Sequence, residues 1–183
     1  MPGKSRKRVR TGHRGTRRAV TADEAAISVR RARKRDWGVI VAITKAVFAP
    51  MSIDAHIERL IGRPKGVPWH QVKAQTVREE LAMNPAGCFV AEIGGQVVGY
   101  VTTAVNALAS RGTIANVAVL PDCQGLGIGR RLLETVLEHF RKVGLVHAKI
   151  ETLECNPVGQ HLYPSLGFRE VIRQIHYVMP LET

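Results

Sequence analysis

The stretch DCQGLGIGRRL, Asp122 to Leu132, sets Gly125, Gly127 and Gly129 at alternate positions between an apolar run and an amphipathic one. Glycines so placed let a main chain approach a phosphate closely. Three phosphate-binding patterns compete for it. A P-loop ends in Gly-Lys-Ser/Thr, where this chain has Gly129-Arg130-Arg131, and a dinucleotide fingerprint counted from Gly125 needs glycine where Arg130 stands. What remains is Gln-x-x-Gly-x-Gly, from Gln124 to Gly129, between a predicted strand and a predicted helix. Free N–H groups at a helix N-terminus bind the closely spaced oxygens of a pyrophosphate, helped by the helix dipole. Arg130 and Arg131 add positive charge nearby.

The elements that must position this loop follow from the hydrophobic periods. A strand from Ile27 to Ala32 leads to Asp36, a helix N-cap by type, and to a helix in which Ile40, Ile43, Ala46 and Val47 recur at helical spacing. A helix from Ser52 to Ile61 and a Gly/Pro-rich turn come next. They precede a third helix, HQVKAQTVREELAM, whose period runs through Val72, Gln75 or Thr76, Glu79 and Met83. Two β-rich runs joined by Gly94-Gly95 predict a hairpin, and RGTIANVAVL predicts the strand that delivers the glycine loop. The helix after the loop carries Leu132, Leu133, Val136, Leu137 and Phe140 on one face, with Gly144 placed to end it. A strand VHAKIETLE, a helix from Asn156 or Pro157 to about Leu166 and a terminal β segment FREVIRQIHYVMPL complete the order. At 183 residues this is one α/β domain, with no internal repeat.

The formal charge of +12 is unevenly spread. Residues 1–35 hold 13 of the 27 Lys and Arg and only Asp23 and Glu24 as acids, which leaves 14 basic and 13 acidic residues in the remainder. The body is therefore near neutral, and residues 1–24 form a basic arm with too little apolar surface to order itself, ahead of a domain over 25–183. Such an arm is expected to attract nucleic acid or the ribosome in a salt-dependent way, or to remain a solvated tail. It contains no aromatic residue for base stacking and no apolar core of a secretory signal. No run reaches the roughly 18 apolar residues of a membrane span, so a cytoplasmic protein without membrane contact is expected. Cys88, Cys123 and Cys155 have neither zinc spacing nor an even count, which fits reduced thiols and no metal.

The blocks IANVAVLPDCQGLGIGRRLLETVLEHF and IETLECNPVGQHLYPSLGF, in this order, resemble the acetyl-CoA-binding core of the GNAT superfamily of N-acetyltransferases. The resemblance is specific over about Thr113 to Phe168 and points to members like the ribosomal-protein N-terminal acetyltransferases. It implies a twisted mixed sheet, mostly antiparallel, with splayed central strands and helices on both faces.

The same resemblance implies acetyl-CoA as cosubstrate, with the backbone of Val117, Ala118 and Val119 along its pantetheine arm and residues Gln124, Gly125, Leu126, Gly127, Ile128, Gly129 and Arg130 around its pyrophosphate. Asn156 would cap its helix and also meet the arm. Tyr163 matches the family's usual general acid, and Glu151 matches a position that serves as base in some members. Glu92, Glu154, His147 and His176 are rivals for that role. Gly159, where relatives often have alanine, and Pro164, inside the last helix, depart from the pattern. The implied acceptor is a protein α-amine or lysine, with a small-molecule amine as the alternative. A CoA-binding regulatory module without turnover is the non-enzymatic reading, and a monomer or homodimer is expected.

Overall fold

The computed structural model describes residues 27–181. The elements are β1 (Ser28–Arg31), α1 (Trp37–Val47), α2 (Ile53–Ile61), α3 (Trp69–Met83), β2 (Phe89–Ile93), β3 (Gln96–Asn106), β4 (Arg111–Val119), α4 (Ile128–Lys142), β5 (His147–Ile150) and α5 (Pro157–Ser165). The expected arm over residues 1–24 lies outside the described residues.

The five strands lie in sequence order, β1 to β4 antiparallel and β5 parallel to β4. A parallel neighbour needs a crossover, which α4 supplies. The β2–β3 hairpin turns on Gly94 and Gly95, with φ of 57° and 78°. Positive φ at both central residues matches the strand twist and suits glycine.

Two cores form on opposite faces of the sheet. Ile128, Leu132, Leu133, Val136 and Phe140 of α4 pack with Phe89, Val101 and Ile114 on one face. On the other, Ile40 and Ile43 of α1 and Val77 and Leu81 of α3 pack with Val90, Tyr100 and Ala118. Tyr100 is fully buried there, its hydroxyl 2.7 Å from that of Thr44.

Three local expectations are corrected. The buried stripe of α3 runs through Ala74, Val77 and Leu81, while Val72 and Met83 are exposed. The helix is polar enough that two phases fit its pattern, and the sheet selects the one with the smaller residues. Asp36 does not cap α1. Its buried carboxylate instead accepts the Arg33 amide at 2.8 Å and two bonds from Arg30, at 2.6 and 2.9 Å. Arg30 also reaches Glu92, so an ion triad ties β1 to β2.

The third correction concerns residues 168–181, which alternate like a strand but form none. A strand needs a ladder partner, and β5 offers a short edge of 4 residues. The segment leaves α5 exposed, with Arg173 held by Glu170 at 2.9 Å and Glu154 at 3.3 Å.

Candidate active site

Pairing between β4 and β5 stops at Ile114 opposite Ile150, yet β4 continues to Val119. The far half of β4 therefore borders an open cleft. The direction of its amides follows from β3. Leu120 N donates to Val98 O at 2.8 Å, and main-chain groups alternate sides along an antiparallel strand. Ala118 thus shares Leu120's orientation toward β3, while Val117 and Val119 turn their N–H and C=O into the cleft. Gln124 Nε2 donates to Val119 O at 3.1 Å, which agrees. Of the three residues expected along a pantetheine arm, Val117 turns both main-chain groups to the cleft and Val119 offers its N–H, its carbonyl being held by Gln124. Ala118 offers neither, and its side chain is buried on the α1–α3 face.

The glycine loop follows a single 3-10 turn at Pro121–Cys123. Gly127 is the residue before α4, in the left-handed region with φ of 76°, a conformation costing roughly 1–2 kcal/mol for a residue with a Cβ. Its carbonyl accepts the Arg131 amide at 3.1 Å, so the N–H groups of Ile128, Gly129 and Arg130 have no intrahelical acceptor. No side chain caps this end. The Ile128 side chain is buried in the α4-side core and anchors the turn, whereas Leu126 is exposed. The arginines have further duties. Arg130 Nη2 donates to Ser165 Oγ of α5 at 2.6 Å, and Arg131 Nη1 to Ile27 O at 2.8 Å. The first stays at the loop and joins α4 to α5.

Asn156 precedes α5 and uses both ends of its amide. Its Oδ1 accepts the Gly159 amide at 3.1 Å, and its Nδ2 donates to Thr152 Oγ1 at 2.9 Å. Tyr163 packs against the α4-side core together with Val117, Val119 and Leu162, with Phe168 edge-on to its ring at 6.3 Å. Burial holds its phenol above the usual tyrosine range. Pro164 removes one helical N–H, and the chain compensates by ending α5 at Ser165. Leu166 and Phe168 both donate to the Tyr163 carbonyl, at 3.0 and 3.2 Å. The proline therefore closes the helix beneath Tyr163.

The sequence pattern places Glu151 within the strand VHAKIETLE. Because β5 ends at Ile150, it lies in the connection that follows. Its side chain is exposed and its carboxylate is 2.5 Å from Lys149 Nζ. Among its rivals, Glu92 is held by Arg30 near the opposite edge of the sheet. Glu154 is exposed beside Arg173, and His147 and His176 are exposed as well. The connection carrying Glu151 also touches the α1–α2 turn, where Cys155 Sγ lies 3.6 Å from Pro50 O.

Residues 55–168 match the family model described as the Acetyltransferase (GNAT) family. The chain belongs to that family. It is 32% identical over 123 residues to the [Ribosomal protein bS18]-alanine N-acetyltransferase of Escherichia coli K12, covering 67% of this chain and 77% of the relative. It is also 32% identical over 143 residues to a mycothiol acetyltransferase of Thermomonospora curvata, covering 75% of this chain but only 48% of that relative. The chain thus spans about half the length of the mycothiol enzyme.

Solved structures agree on the fold. The Escherichia coli ribosomal-protein-S18-alanine N-acetyltransferase superposes with a TM-score of 0.59 at 24% identity, over 80% of each chain. The aminoglycoside N-acetyltransferase AAC(6')-Iy in complex with CoA gives 0.60 at 19% identity, over 87% of this chain and 99% of that one.

Acetyl-CoA, the cosubstrate of this GNAT family, fits the residues present. Two outward amide groups on β4 suit an amide-bearing arm, and three free N–H groups at a glycine-lined helix start suit a pyrophosphate. Among the described residues no cluster of three or more His, Cys, Asp or Glu could hold a metal, and no helix is long and apolar enough to cross a membrane.

What sequence reasoning missed is a polar triangle at the base of the cleft. Glu80 Oε2 accepts from Thr102 Oγ1 at 2.6 Å and from Asn116 Nδ2 at 2.5 Å. Its members come from α3, β3 and β4, so no local spacing announces it. The available signal was two polar side chains, Thr102 and Asn116, in otherwise apolar strands, while Glu80 stands among the polar residues of α3 and gives none.

Proposed function

We propose that this protein moves an acetyl group from acetyl-CoA to a primary amine, with a protein α-amine as the preferred acceptor. The observation that carries the acceptor is the length-matched relative. The chain covers 77% of the bS18-alanine N-acetyltransferase, and it carries Glu151, Asn156 and Tyr163 in the register expected of such enzymes.

The arm of acetyl-CoA lies along Val117 and Val119 with its pyrophosphate on the amides of Ile128 to Arg130. The neutral amine attacks the thioester carbonyl. A C–N bond forms and the C–S bond breaks, the amine proton passes to Glu151 directly or through one water, and the leaving thiolate takes a proton from Tyr163. Glu151 exchanges its exposed pairing with Lys149 for this role, which costs little because exposed ion pairs contribute at most about 1 kcal/mol. Tyr163 can act as an acid because a phenol carries its proton at neutral pH, and burial, which raises it further, leaves that state unchanged.

A small-molecule amine is the second reading, favoured by the mycothiol relative at equal identity. Incubation with acetyl-CoA and peptides of varied N-terminal residue, lysine-only peptides with blocked N-termini, and small amines separates the two. Mass spectrometry should find acetylated peptide N-termini. Acetylation of small amines alone would replace the acceptor assignment. Absence of any acetyl-CoA consumption, with CoA still bound, would leave the regulatory-module reading. For the basic arm, deleting residues 1–21 should lower nucleic-acid or ribosome association at low salt, and equal association without it would remove the arm from the account.

A further inference from the structure

The Glu80 triangle stands where the strand pairing changes phase. Thr102 faces Asn116 across β3 and β4, but Thr103 faces Ile114, leaving Ala115 as an extra residue on β4. Residues two apart on a regular strand share a face. Here Ile114 enters the α4-side core while Asn116 bonds Glu80 of α3 on the opposite face. The bulge has rotated the strand by one position.

That rotation decides which amides border the cleft. In the pairing before the bulge, the β4 residues whose main chains turn to β3 are the odd-numbered ones. Beyond it they are the even-numbered ones, as Leu120 N on Val98 O attests. Had the first register continued, the amides of Val117 and Val119 would be spent on β3. The cleft would then present Ala118. Bulges re-aim groups beside active sites in this way.

The bulge needs a lock, because a strand without one can slip register. Asn116 is 4% exposed and Thr102 fully buried, and Asn116 Nδ2 donates to Thr102 Oγ1 at 2.9 Å as well as to Glu80. One turn further along, Asn84 Nδ2 donates to Thr103 Oγ1 at 2.8 Å. The end of α3 therefore grips both β3 residues that flank the phase change. Asn116 Oδ1 is buried with no partner. An apolar side chain would avoid that cost but would also lack the bonds to Glu80 and Thr102 that Asn116 makes.

We propose that Glu80 is a positioning residue: through Asn116 and Thr102 it holds the β4 bulge that turns the Val117 and Val119 amides toward acetyl-CoA. The inference rests on the acetyltransferase reading for turnover, and on CoA binding alone for its first test. Calorimetry on full-length Glu80→Ala and Thr102→Val should give an acetyl-CoA Kd about tenfold weaker than wild type, with Thr102→Ser restoring it. Loss of alignment at the thioester should lower kcat by about tenfold to a hundredfold, with the acceptor KM unchanged.

A merely structural carboxylate would lower Tm and leave both constants as in wild type at a temperature where the variants stay folded. That result overturns the proposal. If Glu80→Ala does not fold, Thr102→Val against Thr102→Ser carries the comparison. A wild-type protein that binds acetyl-CoA without consuming it would count against the function, while equal Kd values in wild type and variants would count against Glu80.

Discussion

A Cβ built on Gly159 would lie 3.1 Å from Cε2 of the Tyr163 ring, and closer still to Asn156 Nδ2 at 2.7 Å and Thr152 Oγ1 at 2.8 Å. The glycine is thus the floor on which Asn156, which caps α5, and the proposed acid both rest. Gly159→Ala should displace the Asn156 amide and tilt the ring. We expect a lower Tm, worth about 1 kcal/mol for a disturbed cap, together with a fall in kcat larger than stability accounts for. Melting curves and initial rates at a temperature where both proteins are folded measure the two effects.

Tyr163→Phe removes the proposed acid and keeps the packing against Phe168. General acid catalysis contributes about 10²–10⁴-fold, so kcat should drop by at least about a hundredfold with the acetyl-CoA KM little changed. Unchanged turnover would assign protonation of the thiolate to water. In wild type the tyrosine-dependent loss of rate should set in at higher pH than an ordinary phenol would give, because burial raises this one.

Gly127→Ala forces a Cβ into the left-handed region at the start of α4. Weaker acetyl-CoA binding, by about tenfold or more, is expected from the strained loop and the crowded phosphates. Acetylpantetheine, which lacks the pyrophosphate, distinguishes the loop from the rest of the cleft. Its kcat/KM should be nearly equal in wild type and variant.

Arg30 is the shared partner of Asp36 and Glu92, and it holds the Asp36 carboxyl below the usual aspartate range through its hydrogen bonds. A depressed folded-state value stabilises the fold above the ordinary aspartate value, and that contribution is lost as pH falls through the lowered one. Arg30→Met should therefore cost about 3 kcal/mol at pH 7, where a buried carboxylate loses its counter-charge and keeps only the Arg33 amide. The gap between variant and wild type should narrow as pH falls below about 4. Urea unfolding across this range would record it, and a pH-independent gap would make packing of the arginine stem the cause.

Cys88 is fully buried, and burial pushes its thiol up to about 11 from 9.0. A raised value means the folded state keeps the proton longer, so stability is full below pH 9 and declines toward pH 11. Cys88→Ala should flatten the alkaline fall in Tm over that interval while lowering Tm at pH 7 through the lost sulfur.

The donor half of the site was legible because it is local. Gln124 to Gly129, the capping type at Asn156 and Tyr163 seven positions later are all short-range signals, and the strand–loop–helix around the glycines follows from periodicity. The phase of α3 was not legible, since Val72 and Met83 match its period as well as Ala74, Val77 and Leu81 do until the sheet chooses. Asp36 read as a cap because its type allows it, and it lost that role to an arginine six residues earlier on a neighbouring strand. The Glu80 triangle was beyond reach, as it joins residues 36, 22 and 14 positions apart. Residues 168–181 misled because alternation describes a strand's faces and is silent about its partner.

The two cores on opposite faces of one sheet give this fold a division of labour. The face backed by α4 carries the glycine loop, whose geometry tolerates little change. The face backed by α1 and α3 is built from different residues. The outer surfaces of α1, α2 and α3 can therefore vary without disturbing the glycine loop on the other face. That freedom stops at Glu80, where α3 reaches across to β4.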